Sequence, residues 1–310
     1  MITYEKLYKK TNSFRSFTGI TAPEFDKLFA FVEKEYPKAE AERLGRRKRI
    51  NAIGQGRKFS LELIDRLLML LMYYRLYCSF TFMGFLFNLD QSSVWRDIKY
   101  IEPLVERCIP LPKKLYEKAK KITTMEDFQK YYPELKAFLD ATEQQIPRPK
   151  NKRRRKSHYS GKKKKHTAKT QLMVNQNGLI LHKTGYERGR KHDYDIFKKK
   201  HPKIPKNVEL TTDLGYLGIE KDFPKIKSRI PRKKPKGKPR AKEDKKFNKK
   251  LSRERIVVEH VIGKTKKFGI MGGIFRNRLS RYDDASSIVY GLVNFRAMMN
   301  QGFDLNEFVG

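Results

Sequence analysis

Glu259 lies in the run Leu251-Ser-Arg-Glu-Arg-Ile-Val-Val-Glu-His-Val-Ile-Gly-Lys-Thr-Lys266. The run reads as a helix. At about 100° per residue, Arg255, four residues before Glu259, and Lys266, seven after it, fall within roughly 40° of one line. Val257, Val258 and Val261 point elsewhere and can face a core. A carboxylate between two cations on one helix face suits a divalent ion held beside a phosphate, because carboxylate oxygens are hard donors and the cations offset phosphate charge. Upstream, Asp140 closes the apolar run Leu135-Lys-Ala-Phe-Leu-Asp140, and Asp213 follows Leu210-Thr-Thr. A carboxylate at a strand end is placed where it can reach a ligand. Singly, each is more often a turn or capping residue. Together, on two strands and a helix, Asp140, Asp213 and Glu259 are the candidate catalytic and metal-ligating residues.

The elements that must position them sit in a very basic chain. Lys plus Arg number 71 against 34 Asp plus Glu, a net charge of +37. A folded chain this basic needs a polyanionic partner or a strongly anionic surface. At 38% apolar and 12% aromatic it can still build a core, which excludes a wholly disordered basic protein. Cys78 and Cys108 stand apart from any CxxC pair, so a reduced, intracellular protein without structural zinc is expected. The longest apolar run, 67–74, is too short to span a bilayer, and Met1-Ile-Thr-Tyr-Glu-Lys6 has no apolar signal core. No membrane association and a cytoplasmic location follow as expectations.

Residues 1–112 read as a helical DNA-binding domain. Thr21-Ala-Pro-Glu24 is a capping box opening an amphipathic helix through Phe25, Leu28, Phe29 and Val32 to about Tyr36. A basic loop is expected over 43–58, then a strongly apolar helix capped by Ser60 over 61–77. Next come a short apolar helix, a turn at Asn88–Asp90 and a second helix opening with small polar residues. These fit a helix-turn-helix at about 80–107, with Gln91, Ser92, Ser93 and Arg96 as base or phosphate readers. The same residues also fit an ordinary helical hairpin with a solvated face. Trp95, the single tryptophan, reads as core or interface.

A helical connector is expected over 113–133. From 134 the pattern turns to strands: 135–140, then 166–175 and 178–186 joined by Asn175-Gln-Asn-Gly178. A helix at 192–200, strands at 208–212 and 225–230, and helices at 248–268 and 281–300 follow. This order matches an RNase H-like fold. The fold class expected is therefore α+β: an N-terminal all-α helix-turn-helix domain, then an RNase H-like mixed-sheet catalytic domain over 134–310. Two basic loops interrupt it, 148–166 and 232–250. Either they are solvated, or, as their charge density favours, Arg153, Arg154, Arg155, Lys163 and Lys164 hold the DNA backbone.

These residues carry a resemblance. Asp, Asp and Glu in this order are metal ligands of nucleases and polynucleotide transferases, and the chain resembles the DDE transposases of bacterial insertion sequences, IS-five type. That family places a tyrosine, then arginine, around its glutamate, with a lysine seven residues beyond. Arg255, Glu259 and Lys266 fit the pattern; Ser252 stands where the family has tyrosine. Family-like context recurs in Asp140-Ala-Thr142, in Tyr159-Ser-Gly-Lys-Lys-Lys-Lys-His166, in Gly189-Arg-Lys-His-Asp193 and in Asp213-Leu-Gly-Tyr216, so the likeness covers nearly the whole chain. The resemblance implies two Mg²⁺ or Mn²⁺ ions per site, and cleavage at the ends of the element followed by strand transfer into target DNA. It also implies phosphate contacts from Arg255 and Lys266, a homodimer or higher multimer on double-stranded DNA, and a place in the bacterial nucleoid. His192-Asp193 reads either as a metal-adjacent pair or as a helix cap. Two other readings stay open: an inactive DNA-binding relative, and a nuclease that cuts without joining.

Overall fold

The computed structural model describes residues 1–45, 58–237 and 239–309. Contacts divide the chain into two units, Met1–Leu111 with Lys267–Gly272 and Ser287–Gly310, and Pro112–Lys266 with Gly273–Ser286.

The first unit is helical: α1 (Tyr4–Tyr8), α2 (Thr11–Thr18), α3 (Ala22–Gly45), α4 (Leu63–Leu76), α5 (Phe80–Phe87) and α6 (Gln91–Cys108). The capping box forms as predicted. The Thr21 N–H donates to the Glu24 carboxylate at 2.7 Å, and the Glu24 N–H donates to the Thr21 hydroxyl at 3.4 Å. The helix does not stop near Tyr36. It runs through Pro37 to Gly45 because the sequence beyond is rich in Ala, Glu and Lys, strong helix formers. Glu40 is gripped by Arg43 and by the Tyr100 hydroxyl, and Glu42 by Arg107 at 2.6 Å, which ties this extension to α6. The basic stretch expected at 43–58 is thus helical at its start, and 46–57 lie outside the described residues. Ser60 is not the cap of α4; Glu62 takes that place in extended conformation. Leu67 to Leu71 are fully buried, so α4, apolar on all sides, forms the centre of this core and packs on α2 and α6.

The second unit begins with α7 (Pro112–Lys121) and α8 (Met125–Tyr131), the helical connector foreseen in the sequence, and α7 packs on its sheet. Then come β1 (Lys136–Gln145), α9 (Lys152–His158), β2 (Tyr159–Ser160), β3 (Lys165–Asn175), β4 (Ile180–Lys183), β5 (Glu187–Arg188), α10 (Asp193–Lys200), β6 (Glu209–Thr211), α11 (Ile219–Asp222), β7 (Lys227–Arg229) and α12 (Lys242–Lys266). Among the described residues the sheet runs β2-β3-β1-β6-β7, with β4 and β5 also on β3. β1 is central. It is antiparallel to β3 and parallel to β6, and β6 is parallel to β7. An antiparallel start continued by parallel strands on the other side of β1 is the RNase H-like order, so the fold is α+β as expected.

Three expectations are corrected. β1 extends five residues past Asp140 to Gln145, so Asp140 lies inside a strand and not at its end. The polar extension holds through cross-strand partners: Glu143 accepts from the Thr167 hydroxyl at 2.7 Å and faces Lys169 in register. The basic segments are only partly loop. Asn151 caps α9 by accepting from the Arg154 N–H, and α12 starts at Lys242 with Glu243 and Asp244 in its first turn. Finally, the chain end does not belong to a continuous unit over 134–310. After α13 (Gly269–Gly272), the helix α14 (Tyr282–Asn300) passes from the second unit into the first. There Phe295 meets Phe31 edge-on at 6.4 Å, Arg296 pairs with Glu24 at 3.0 Å, and Asn294 donates to the Pro110 carbonyl.

Candidate functional site

Asp140 stands opposite Leu172 in the β1–β3 ladder. Its carboxylate accepts from the Ala141 N–H at 2.7 Å and lies 3.5 Å from a terminal nitrogen of Arg255 on α12, which packs on β1. Burial pushes the Asp140 carboxyl up to about 6; the Ala141 N–H and Arg255 pull it down, and the charges of Asp213 and Asp193 push it up. The ionised form is therefore costly unless a cation attends it.

Asp213 lies two residues past the end of β6. It caps the short 3-10 turn Leu214–Tyr216, accepting from the Gly215 N–H at 2.9 Å. Tyr216 in this turn is fully buried, and its hydroxyl receives a hydrogen bond from Gln171 of β3 at 2.9 Å. The same amide donates to the Asp193 carbonyl at 2.6 Å. Gln171 therefore ties the turn that carries Asp213 to β3 and to the start of α10.

Glu259 is exposed on α12, between Arg255 and Lys266 on the same helix face. Lys266 is exposed in the last turn of α12. Desolvation and Lys163 lower its pKa, while Glu143 and Asp140 oppose that shift. Asp140, Asp213, Arg255 and Lys266 thus share one electrostatic neighbourhood, with Lys163 of the basic run at its edge. Among the described residues, no hydrogen bond or ion pair of its carboxylate draws Glu259 into it. Among the described residues, no three His, Cys, Asp or Glu side chains gather closely enough to hold an ion.

Two residues of this neighbourhood, Lys169 and Gln171, were not singled out from the sequence. Lys169 is buried, with its ammonium 2.8 Å from Asp193 and 3.5 Å from Glu143, and it donates to the Lys191 carbonyl at 2.8 Å. The signal was their spacing: Lys169 and Gln171 lie two apart in a strand and so share one face, and both are buried. Of the pair His192-Asp193, His192 occupies the cap position of α10 without a side-chain capping bond, and Asp193 is the residue whose charge reaches Asp140.

In the first unit, Ser79 caps α5, Asn88 ends it in left-handed conformation, and Gln91 opens α6. Gly84 is required at this turn, since a Cβ there would lie 2.3 Å from the Leu89 carbonyl oxygen. Gln91 and Ser92 are exposed and Ser93 is partly so. Arg96 folds back on its own helix, donating to the Ser92 carbonyl and the Ser93 hydroxyl at 3.2 Å. In the second unit, Arg153 and Arg154 are exposed and Arg155 partly exposed on α9, while Lys163 and Lys164 are exposed in the β2–β3 turn.

Comparison with known proteins decides the family. The description "DDE superfamily endonuclease" matches residues 139–294, half of the chain, and "Helix-turn-helix of DDE superfamily endonuclease" matches 59–111. The chain belongs to the DDE superfamily endonucleases. It is 36% identical over 242 residues to a "Probable transposase for insertion sequence element IS702" from Microchaete diplosiphon, covering 77% of this chain and 83% of the relative. No solved structure matches it. The helix-turn-helix match embraces α5 and α6, which rules in favour of that motif over a plain hairpin.

DDE endonucleases use divalent metal, and the residues here fit one. Asp140 and Asp213 offer hard oxygens and the Asp140 charge is costly alone, while the buried, unpartnered Arg255 Nε is a donor suited to a phosphate oxygen beside the ion. Among the described residues no helix is long and apolar enough to cross a membrane.

Proposed function

We propose that this DDE endonuclease is a transposase of the IS-five type that binds the terminal repeats of its insertion element, cuts them, and joins them to target DNA. The observation that carries this reading is Asp140 on the central strand with Arg255 at 3.5 Å and the charge of Asp213 acting on it. The probable-transposase relative supports it.

Asp140, Asp213 and Glu259 are the ligands in this reading. Mg²⁺ or Mn²⁺, two ions when bound, would supply Lewis-acid activation of the attacking and leaving oxygens. Arg255 and Lys266 hold the non-bridging oxygens of the scissile phosphate and favour its developing charge. Water attacks phosphorus in line, and the bond to the 3′ oxygen breaks. The freed 3′-hydroxyl then attacks a phosphodiester of the target, one such bond forming as another breaks. No covalent enzyme intermediate is required. Gln91, Ser92 and Ser93 face the terminal repeats, with Arg96 beside them. Arg153, Arg154, Arg155, Lys163 and Lys164 hold the backbone without reading sequence. Joining two element ends calls for at least a homodimer, acting on the nucleoid in a bacterial cytoplasm.

One assay tests this: duplex DNA carrying the element's own flanking inverted repeats, with Mg²⁺ or Mn²⁺, and Glu259→Gln as control. Cleavage at the repeat ends followed by joining to a second DNA is expected. Cleavage without joining would make the protein a nuclease. Tight binding with no cleavage in either metal would make it a DNA-binding relative, with Ser252 the first residue to examine.

A further inference from the structure

Of the two places the sequence leaves open for Trp95, core or interface, the core is excluded, since the side chain is 44% exposed on α6. Ser92, Trp95 and Lys99 follow one another at i, i+3 and i+7, so they form a single outward stripe along the second helix of the helix-turn-helix. The Lys99 ammonium sits over the indole, 4.5 Å from the ring centroid. Among the described residues the indole N–H has no hydrogen-bond partner. Together with Phe80, Asp90, Gln91 and Ser92, Trp95 lines an open groove at the start of α6.

Charge says what occupies this face. Asp97 and Glu102 of the same helix are turned inward, Asp97 to Arg66 at 3.3 Å and Glu102 to the Tyr74 hydroxyl at 2.9 Å. The outward residues are then polar, aromatic or cationic: Gln91, Ser92, Trp95, Arg96 and Lys99. Asp90 is the acid at the groove's mouth, and in a major groove an acceptor of this kind suits the amino group of cytosine. Arg96 folds back onto Ser92 and Ser93, which leaves Trp95 as the large side chain projecting where the second helix of such a motif meets base edges.

We propose that Trp95 is a specificity-determining residue that packs its indole on a thymine methyl in the major groove, with Lys99 reaching the adjacent phosphate. This rests on the reading of the chain as a protein that binds element ends. Apolar contact with the C5 methyl separates thymine from cytosine without a hydrogen bond, a discrimination open to an aromatic face. Lys99, set over the ring, keeps the indole upright and brings charge to the backbone, so the pair combines base reading with positioning.

Trp95 is the single tryptophan, so its fluorescence reports on this contact alone. The experiment titrates the full chain with dye-labelled duplex carrying the flanking inverted repeats, following dye anisotropy and indole emission together. Emission should fall and acrylamide quenching weaken over the same DNA concentrations at which anisotropy rises. Replacing the thymines of the repeats with uracil deletes only methyl groups. It should weaken wild-type binding about tenfold, and leave Trp95→Ala, already weakened, nearly unaffected. Trp95→Phe, which keeps an aromatic face, should recover part of the loss. Binding with unchanged indole emission and quenching overturns the proposal, as does equal sensitivity of wild type and Trp95→Ala to uracil. Failure of the wild type to bind any duplex would instead overturn the DNA-binding function itself.

Discussion

The guanidinium of Arg255 stands 3.5 Å from the carboxylate of Asp140, linking α12 to the central strand of the sheet. Arg255 is 13% exposed and Asp140 20%, so the pair is only partly screened by water. Removing Arg255 leaves a buried carboxylate beside Asp213 and Asp193 with its nearest cation gone. Arg255→Ala should therefore lower stability by about 2 kcal/mol, less than breaking a fully buried pair costs, because both groups keep some contact with water. Urea unfolding measures it. An unchanged midpoint would mean that the pair contributes nothing in solution. Arg255→Lys keeps charge but loses the planar fork, so it should recover stability better than cleavage.

Asp140→Asn, Asp213→Asn and Glu259→Gln should each abolish Mg²⁺-dependent cleavage and leave binding to the terminal repeats within about threefold, because a near-isosteric amide removes one metal-binding charge and little else. The comparison is most demanding for Glu259, which is exposed and, among the described residues, forms no close carboxylate cluster with the two aspartates. If Glu259→Gln cleaves normally, the third ligand is another carboxylate, and Asp193 is the first to replace.

Lys169 is buried between Asp193 and Glu143. Lys169→Met preserves much of the side-chain volume but strands two carboxylates near Asp140. The expected loss is about 3 kcal/mol, the scale for a buried charge left unpaired. Thermal unfolding should report it, and Lys169→Met with Asp193→Asn should regain part of it. A neutral effect of the single substitution would mean that water reaches the cluster.

Local rules made part of this architecture readable. Thr21 and Glu24 are three residues apart, so their capping box could be read from spacing, and so could the turn at Asn88 and the hairpin closing at Gly178, both of which hold left-handed backbone. What was hidden depends on distant partners. Nothing local says that Glu143 finds Thr167 and Lys169, so β1 seemed to end with its apolar residues at Asp140. Nothing near Phe295 announces Phe31, so the packing of the last helix on α3 could not be read from its own residues. The helix expected to end near Tyr36 runs on through Pro37, because the residues beyond are strong helix formers tied to α6. Core and interface both stayed open for Trp95 in the sequence; its spacing from Ser92 and Lys99 puts it on their exposed face, which removes the core.

His182 gives the fold a pH dependence of its own. It lies on β4 against the Tyr116 ring, centroids 5.1 Å apart, with its Nδ1 enclosed and unpartnered. Burial, with smaller contributions from Lys120, Lys183 and His201, pulls its pKa down to about 4. In the unfolded chain it returns to about 6.5. As pH falls below that value the unfolded chain takes up a proton that the folded one refuses, so stability is lost between about 6.5 and 4 and no further below. The loss from this group is about 3 kcal/mol when complete, at roughly 1.4 kcal/mol per unit. His182→Phe keeps the ring against Tyr116 and removes the titration. Urea unfolding of both proteins at pH 7 and pH 4.5 should show the wild type losing about 2–3 kcal/mol more than the variant. Equal losses would mean that the imidazole is open to water in the folded protein and takes its proton there.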